Sequence, residues 1–201
     1  VSRSDILIIN YFCTEKEMGI YGLAVGISQV LLVIPISIQN LLYHSLLGKE
    51  KEEQKKILLH NSRLTFTIMC IAALGIFLLS QPFVAIVGGK GFEQAVPLFN
   101  YFLPAVVFYS VPMILATQWN IMGIFPQINK IAILILILSV AGNIILVPLI
   151  GTTGGAVTFL IVAFISFCIH IWFVQKNLGK TPIRDILFIK AADTLAFYKK
   201  T

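Results

Sequence analysis

IAILILILSVAGNIILVPLIGTTGGAVTFLIVAFISFCIHIWFVQ, residues 131–175, runs for forty-five positions without an Asp, Glu, Lys or Arg. A helix that crosses a bilayer needs about 20 mostly apolar residues, so this stretch holds two. GTTGG, at positions 151–155, supplies the turn between them. Barrel strands alternate apolar and polar residues in segments of about ten, and this stretch does not alternate. The reading is two membrane helices, 131–150 and 154–175.

Three more charge-free windows precede it, at 18–48, 64–89 and 94–129. They give spans at about 21–47, 64–87 and 98–121. The chain is 58% hydrophobic and 12% charged, against about 25% charged in ordinary soluble domains. The expected fold class is all-α, a polytopic membrane helix bundle without a soluble domain. A sixth apolar segment, 1–13, is too short to cross. It lacks the layout of a secretory signal and reads as the outer half of a transmembrane helix whose remainder lies upstream.

The connections carry the charge. Lys49, Lys51, Lys55, Lys56 and Arg63 lie between the first two full spans, and Lys130 lies in the turn after 121. Lys176, Lys180, Arg184, Lys190, Lys199 and Lys200 lie in the tail. These three regions fall on one side of the bundle and hold twelve of the fifteen basic residues. Basic loops stay cytoplasmic, which puts the C-terminus inside. The same bias accounts for the net charge of +6 without a nucleic-acid partner. The loop 48–63 reads as a short helix on the membrane surface, and the tail 176–201 as an interfacial amphipathic segment.

Polar residues inside spans are the candidate site. Asp5 sits about nine residues before the TEKEMG loop, which at about 1.5 Å per residue is near the middle of a core of about 30 Å. An ionised Asp there costs about 2.5–3.5 kcal/mol on insertion scales, so it should face a cavity, a partner or protons. Arg3 offers a fork of donors suited to a phosphate. On a helical wheel of 21–47, Gln29, Asn40 and His44 share a stripe with Gly22, Gly26 and Ser37, opposite Ile27, Leu31, Ile34, Ile38, Leu41 and Leu42. The stripe suits a polar cavity or close helix packing. Asn143 shares a face with Ser139 and Gly142. Gln118, Asn120 and His170 read as interfacial. Pro35, Pro104 and Pro112 lie mid-span and free backbone carbonyls, which suits a bundle that moves.

Enzyme motifs are absent: there is no H-E-x-x-H, G-x-S-x-G or C-x-x-C, and GGKGF at 88–92 lacks P-loop spacing. Cys13, Cys70 and Cys168 are widely spaced. The reading is no catalytic residues, no cofactor and no metal site.

DILIINYFCTEKEMGIYGLAVGISQVLLVIPISIQNLL, from Asp5, resembles the seventh and eighth helices of polysaccharide repeat-unit (O-antigen-type) flippases. These belong to the multidrug/oligosaccharidyl-lipid/polysaccharide exporter superfamily. GGKGFEQAVPLFNYFLP resembles that family's outer loop and tenth helix, and GNIILVPLIGTTGGAVTF its eleventh-to-twelfth helix junction. LLYHSLLGK departs from the Pro and basic residue common after the eighth helix. The resemblance implies the second six-helix lobe of a MATE-like flippase in a bacterial inner membrane, with its first helix truncated. It implies a polyprenyl-pyrophosphate-linked oligosaccharide as substrate, an N-terminal lobe as partner, and a coupling proton or sodium ion. Arg3 would then meet the diphosphate and Asp5 the ion. The alternatives are a cation-coupled multidrug antiporter, a peptidoglycan-precursor flippase, or an inactive fragment.

Overall fold

The computed structural model describes residues 4–89, 91–177, 179 and 181–188. Helix makes up 88% of it and no strand occurs among the described residues, which excludes a barrel there. Nine helices are described: α1 (Ser4–Phe12), α2 (Glu15–Leu31), α3 (Val33–Leu46), α4 (Lys51–Leu78), α5 (Ser80–Gly88), α6 (Ala95–Ile121), α7 (Phe125–Ile150), α8 (Thr152–Asn177) and α9 (Ile183–Leu187). Five units are long and apolar enough to cross a membrane: α2 with α3, α4, α6, α7 and α8. The bundle is that of a membrane protein.

α6 is the axis. It packs against α8, α4, α2 and α3 and buries Phe99, Phe102, Val106, Val111, Ile114, Leu115 and Trp119. α7 lies along α8 and against α1. Its other face is apolar and exposed, with Ile133, Ile137, Ile144 and Leu149 outward. Water would penalise such a face, whereas lipid tails accept it. Two apolar cores stack along the bundle. One, toward Thr14, gathers Ile9, Tyr21, Met69, Phe99 and Phe102. The other, toward Gly48, gathers Leu42, Leu46, Leu58, Trp119, Phe167 and Ile186.

Two spans are broken, each three residues before a proline. The 21–47 span begins earlier, at Glu15, and turns at Leu32, whose N–H bonds back to the Gln29 carbonyl at 3.0 Å. The 64–87 span turns at Leu79 in the same way, with its N–H on the Ile76 carbonyl at 3.1 Å. Pro35 and Pro82 then sit in the first turn of α3 and α5, where a helix needs no N–H. Pro104 and Pro112 lie inside α6, which stays one helix.

The connection at 48–63 is not a separate surface helix. α4 runs unbroken from Lys51 to Leu78, because neither Gly nor Pro occurs between Lys51 and Ala73. Its 28 residues extend about 42 Å, so the charged first turns stand beyond the apolar core. Lys49 pairs with Glu53 there. In the tail, α9 does not lie free on a surface. It packs on α4, and Ile186 and Leu187 are buried in the core toward Gly48. Arg63, buried on α4, donates from Nη1 to the Asp185 carbonyl at 2.7 Å. The tail beyond Phe188 lies outside the described residues.

Candidate functional site

A cavity of about 470 Å³ lies among α6, α7 and α8, with Asp5 of α1 and Gln39 of α3 at its wall. Three helical stripes build it. On α8 these are Gly155, Phe159, Val162, Ser166 and His170; on α7, Ile128, Ile131, Ile135, Ser139 and Asn143; on α6, Tyr109, Pro112, Ala116 and Trp119. Each stripe recurs every three to four residues, as one helix face must. Gly155 and His170 are fifteen residues apart, so the cavity runs about 22 Å along α8. Its wall is mostly apolar, with Asp5 and Asn143 toward one end, His170 at the other and the Tyr109 phenol between them, which is how ligand pockets are commonly lined.

Asp5 stands at the end toward Thr14. Its Oδ2 accepts a hydrogen bond from the Tyr21 hydroxyl at 2.8 Å. Tyr21 is fully buried and packs edge-on against Phe102, with centroids 5.6 Å apart. The α1–α2 turn that brings Asp5 over Tyr21 is fixed by a capping box. The Thr14 hydroxyl accepts from the Glu17 N–H at 3.3 Å, and Glu17 Oε2 accepts from the Thr14 N–H at 2.9 Å. Gly155 lets α8 approach. A Cβ there would lie 3.1 Å from the Tyr21 hydroxyl and 2.8 Å from Ile9 Cδ1.

Asn143 is buried on α7. Its Nδ2 donates to the Ser139 carbonyl at 2.8 Å, and its Oδ1 has no partner in the chain. The buried Thr158 hydroxyl on α8 is likewise unpartnered, and its methyl would meet a Cβ on Gly142 at 2.7 Å. One carboxylate and two buried oxygens without partners therefore surround the α1–α7–α8 contact. Oxygens left without partners in a low-dielectric interior are costly, and a hard cation or water satisfies them. Among the described residues, no group of three or more His, Cys, Asp or Glu could hold a metal ion.

Of the residues singled out by sequence, Asp5 and Asn143 line this cavity. Gln29, Asn40 and His44 do not. They are exposed on the outer face of α2 and α3, together with Gly22, Gly26 and Ser37. The wheel groups these six correctly, and the face they share is turned away from this cavity. Ile27, Leu31 and Leu42, read as lipid-facing, are buried against the rest of the bundle, because the core that α6 presents to α2 and α3 is apolar. Arg3 lies outside the described residues. Gln39, Tyr21, Tyr109 and His170 were not singled out. Gln39 neighbours Asn40 but lies about 100° round α3 from it, on the cavity wall. His170 reads as interfacial from its position near the end of its span, yet it is 9% exposed, with Nδ1 on the Ser166 carbonyl at 2.8 Å.

Compared with known proteins, the chain matches no family model, no curated protein and no solved structure.

Proposed function

We propose that the chain is one lobe of a membrane flippase that moves a polyprenyl-pyrophosphate-linked oligosaccharide to the outer leaflet by alternating access. No bond of the cargo is made or broken. The observation that carries the transport reading is Asp5, a carboxylate within a membrane bundle at the wall of a long cavity. Such residues are rare in membrane helices and mark substrate, ion or proton pathways. The choice of cargo rests on the sequence resemblance.

In this reading Asp5 binds the coupling proton or sodium ion. Tyr21 donates to the empty carboxylate and holds it at the α1–α2 contact. Asn143 Oδ1, on the wall of the same cavity, has nothing to accept, and carboxylate with amide oxygen is a ligand set for a small hard cation. The turns at Leu32 and Leu79 are the places where α2–α3 and α4–α5 can bend. The twelve-to-two bias of loop basic residues, with Lys16 and Lys90 alone on the opposite side, supports a cytoplasmic C-terminus in a bacterial inner membrane. A second lobe would complete the pathway along the exposed Gly22–Gly26–Gln29–Asn40–His44 face.

One observation favours the antiporter alternative. The described cavity wall has aromatic rings and one acid but no Lys or Arg, which suits an apolar cation better than a diphosphate. The diphosphate partner in the flippase reading is Arg3 or the other lobe.

Deletion of the gene in its host should make lipid-linked oligosaccharide accumulate on the cytoplasmic leaflet while surface polysaccharide falls. The wild-type gene should reverse this, and Asp5→Asn or Arg3→Ala should not. Normal glycan export after deletion, in a host without a redundant exporter, sinks the flippase reading.

A further inference from the structure

The cavity has a second polar end, toward Gly48, built around His170. We propose that His170 is a second proton-binding site of this cavity, in series with Asp5. Its role in transport rests on the transport reading above; its chemistry does not.

Position comes first. Gly155 touches the Tyr21–Asp5 pair, and His170 lies about 22 Å further along the same stripe of α8. That is most of a hydrocarbon core of about 30 Å. At that separation the two groups cannot share one proton, so they are two sites. The intervening wall offers Tyr109 of α6 as its other titratable group. The lining residues of α3 and α7 carry none.

The ring's surroundings then fix what it can do. A carbonyl oxygen only accepts, so the 2.8 Å contact to Ser166 places a hydrogen on Nδ1. The neutral ring therefore keeps its lone pair on Nε2, for which the described residues supply no partner. One face of the ring stacks on Trp119, with centroids 4.9 Å apart and planes 11° from parallel. An indole face attracts a cation placed over it, so the imidazolium keeps both the Ser166 carbonyl and the indole. Protonation turns Nε2 from acceptor to donor without disturbing the bond that orients the ring. A histidine kept only for packing would not need a nitrogen left open on a cavity wall. With Asp5 ionised and His170 neutral these two groups give the cavity a charge of −1; with both protonated they give +1. The cavity would thus present opposite polarity to a cargo group in its two loading states.

The chain has three histidines, so the test is tractable. The protein in lipid nanodiscs, labelled with ¹⁵N-histidine, is titrated by NMR, with His170→Gln identifying the His170 signals. The expected result is an Nδ1–H tautomer at the alkaline end that converts to imidazolium between about pH 5 and 8, the range in which histidine switches. A ring that stays neutral, or stays charged, over that whole range overturns the proposal. In the full transporter, His170→Gln should shift the pH profile of cargo movement, measured on protein that still folds and reaches the membrane. An unshifted profile overturns the coupling in series. The NMR readout uses no cargo. A titrating His170 in a host that exports its glycan without the protein keeps this inference and removes the flippase reading.

Discussion

The Tyr21 hydroxyl on α2 donates to Oδ2 of Asp5 on α1 at 2.8 Å, and Gly155 on α8 lies against the same hydroxyl. Three helices meet beside one part-buried carboxylate. Tyr21→Phe removes the donor and nothing else, so it should cost about 1.5–3 kcal/mol, the scale of a hydrogen bond to a charged group. Gly155→Ala inserts a methyl between Ile9 and Tyr21, both fully buried, and should cost about 1–3 kcal/mol by overpacking. Melting in detergent measures both. A stable Gly155→Ala would mean that α1 and α8 do not meet as described.

Glycine substitutions separate contacts within the lobe from contacts beyond it. At Gly154 a Cβ would lie 2.4 Å from the Leu146 carbonyl oxygen and 2.8 Å from the Val147 nitrogen. Backbone cannot rotate away as a side chain can, so Gly154→Ala should abolish the folded bundle. At Gly22 and Gly26 nothing lies within 4 Å. Gly26→Ala should therefore leave the lobe as stable or raise it by up to about 1 kcal/mol through helix propensity. Loss of transport in Gly26→Ala with an unchanged melting curve would locate a partner or cargo on that face. Full transport in the variant would leave the face without either.

The two glycine sets also mark what was legible in the sequence. The five spans and the all-helical class follow from charge-free windows and their length; the break between the last two falls at Gly151 alone, with α8 already helical from Thr152. Asp5 and Asn143 follow from the cost of polar groups in lipid. The direction of the α2–α3 stripe did not follow, because periodicity gives which residues share a face and not which face a neighbour covers. Gln29, Asn40 and His44 share a face, but α6 packs on the other. The continuity of α4 was hidden by its charges: Lys51 to Arg63 read as a separate helix on the membrane surface, although no Gly or Pro separates them from the apolar residues that follow. His170 was hidden by its nearness to the end of α8, where position alone suggests water.

The α1–α2 turn should respond to acid. The Glu15–Leu46 unit has 32 residues, about 48 Å against a core of about 30 Å, so Glu17 at its start meets water. The Thr14 N–H first, and the Thr14 hydroxyl second, hold its carboxyl below the ordinary value of 4.5. A carboxyl depressed by folding stabilises the fold above its unfolded value and loses that contribution as pH falls through its folded value. The turn should therefore hold at neutral pH and weaken below about pH 4.5, by hydrogen exchange at Met18 and its neighbours. Glu17→Gln should remove the acid response, and Thr14→Ala should cost about 1 kcal/mol as an N-cap loss. An acid response that survives in Glu17→Gln would assign it to another group.

The short α9 should hold the Gly48 end of the bundle together. Ile186 is fully buried and Leu187 nearly so, both in the core that contains Leu58, Trp119 and Val174. Phe188 meets Phe66 of α4 edge-on, with centroids 6.3 Å apart. The Gln175 amide donates to the Thr181 carbonyl at 3.3 Å and ties the segment back to the end of α8. The strap carrying α9 thus packs on α4 and is tied to the end of α8. Ile186→Ala removes a side chain that cannot be replaced by lipid or water, and the expected cost is about 2–5 kcal/mol. Arg63→Met keeps the stem of the buried side chain but removes the donor to the Asp185 carbonyl, so it should free the strap with less damage to the core. Limited proteolysis reads the difference. Both variants should be cut in 178–188 faster than wild type, Arg63→Met without a matching fall in melting temperature. Equal protection in Arg63→Met and wild type would show that the strap docks without the Arg63–Asp185 hydrogen bond.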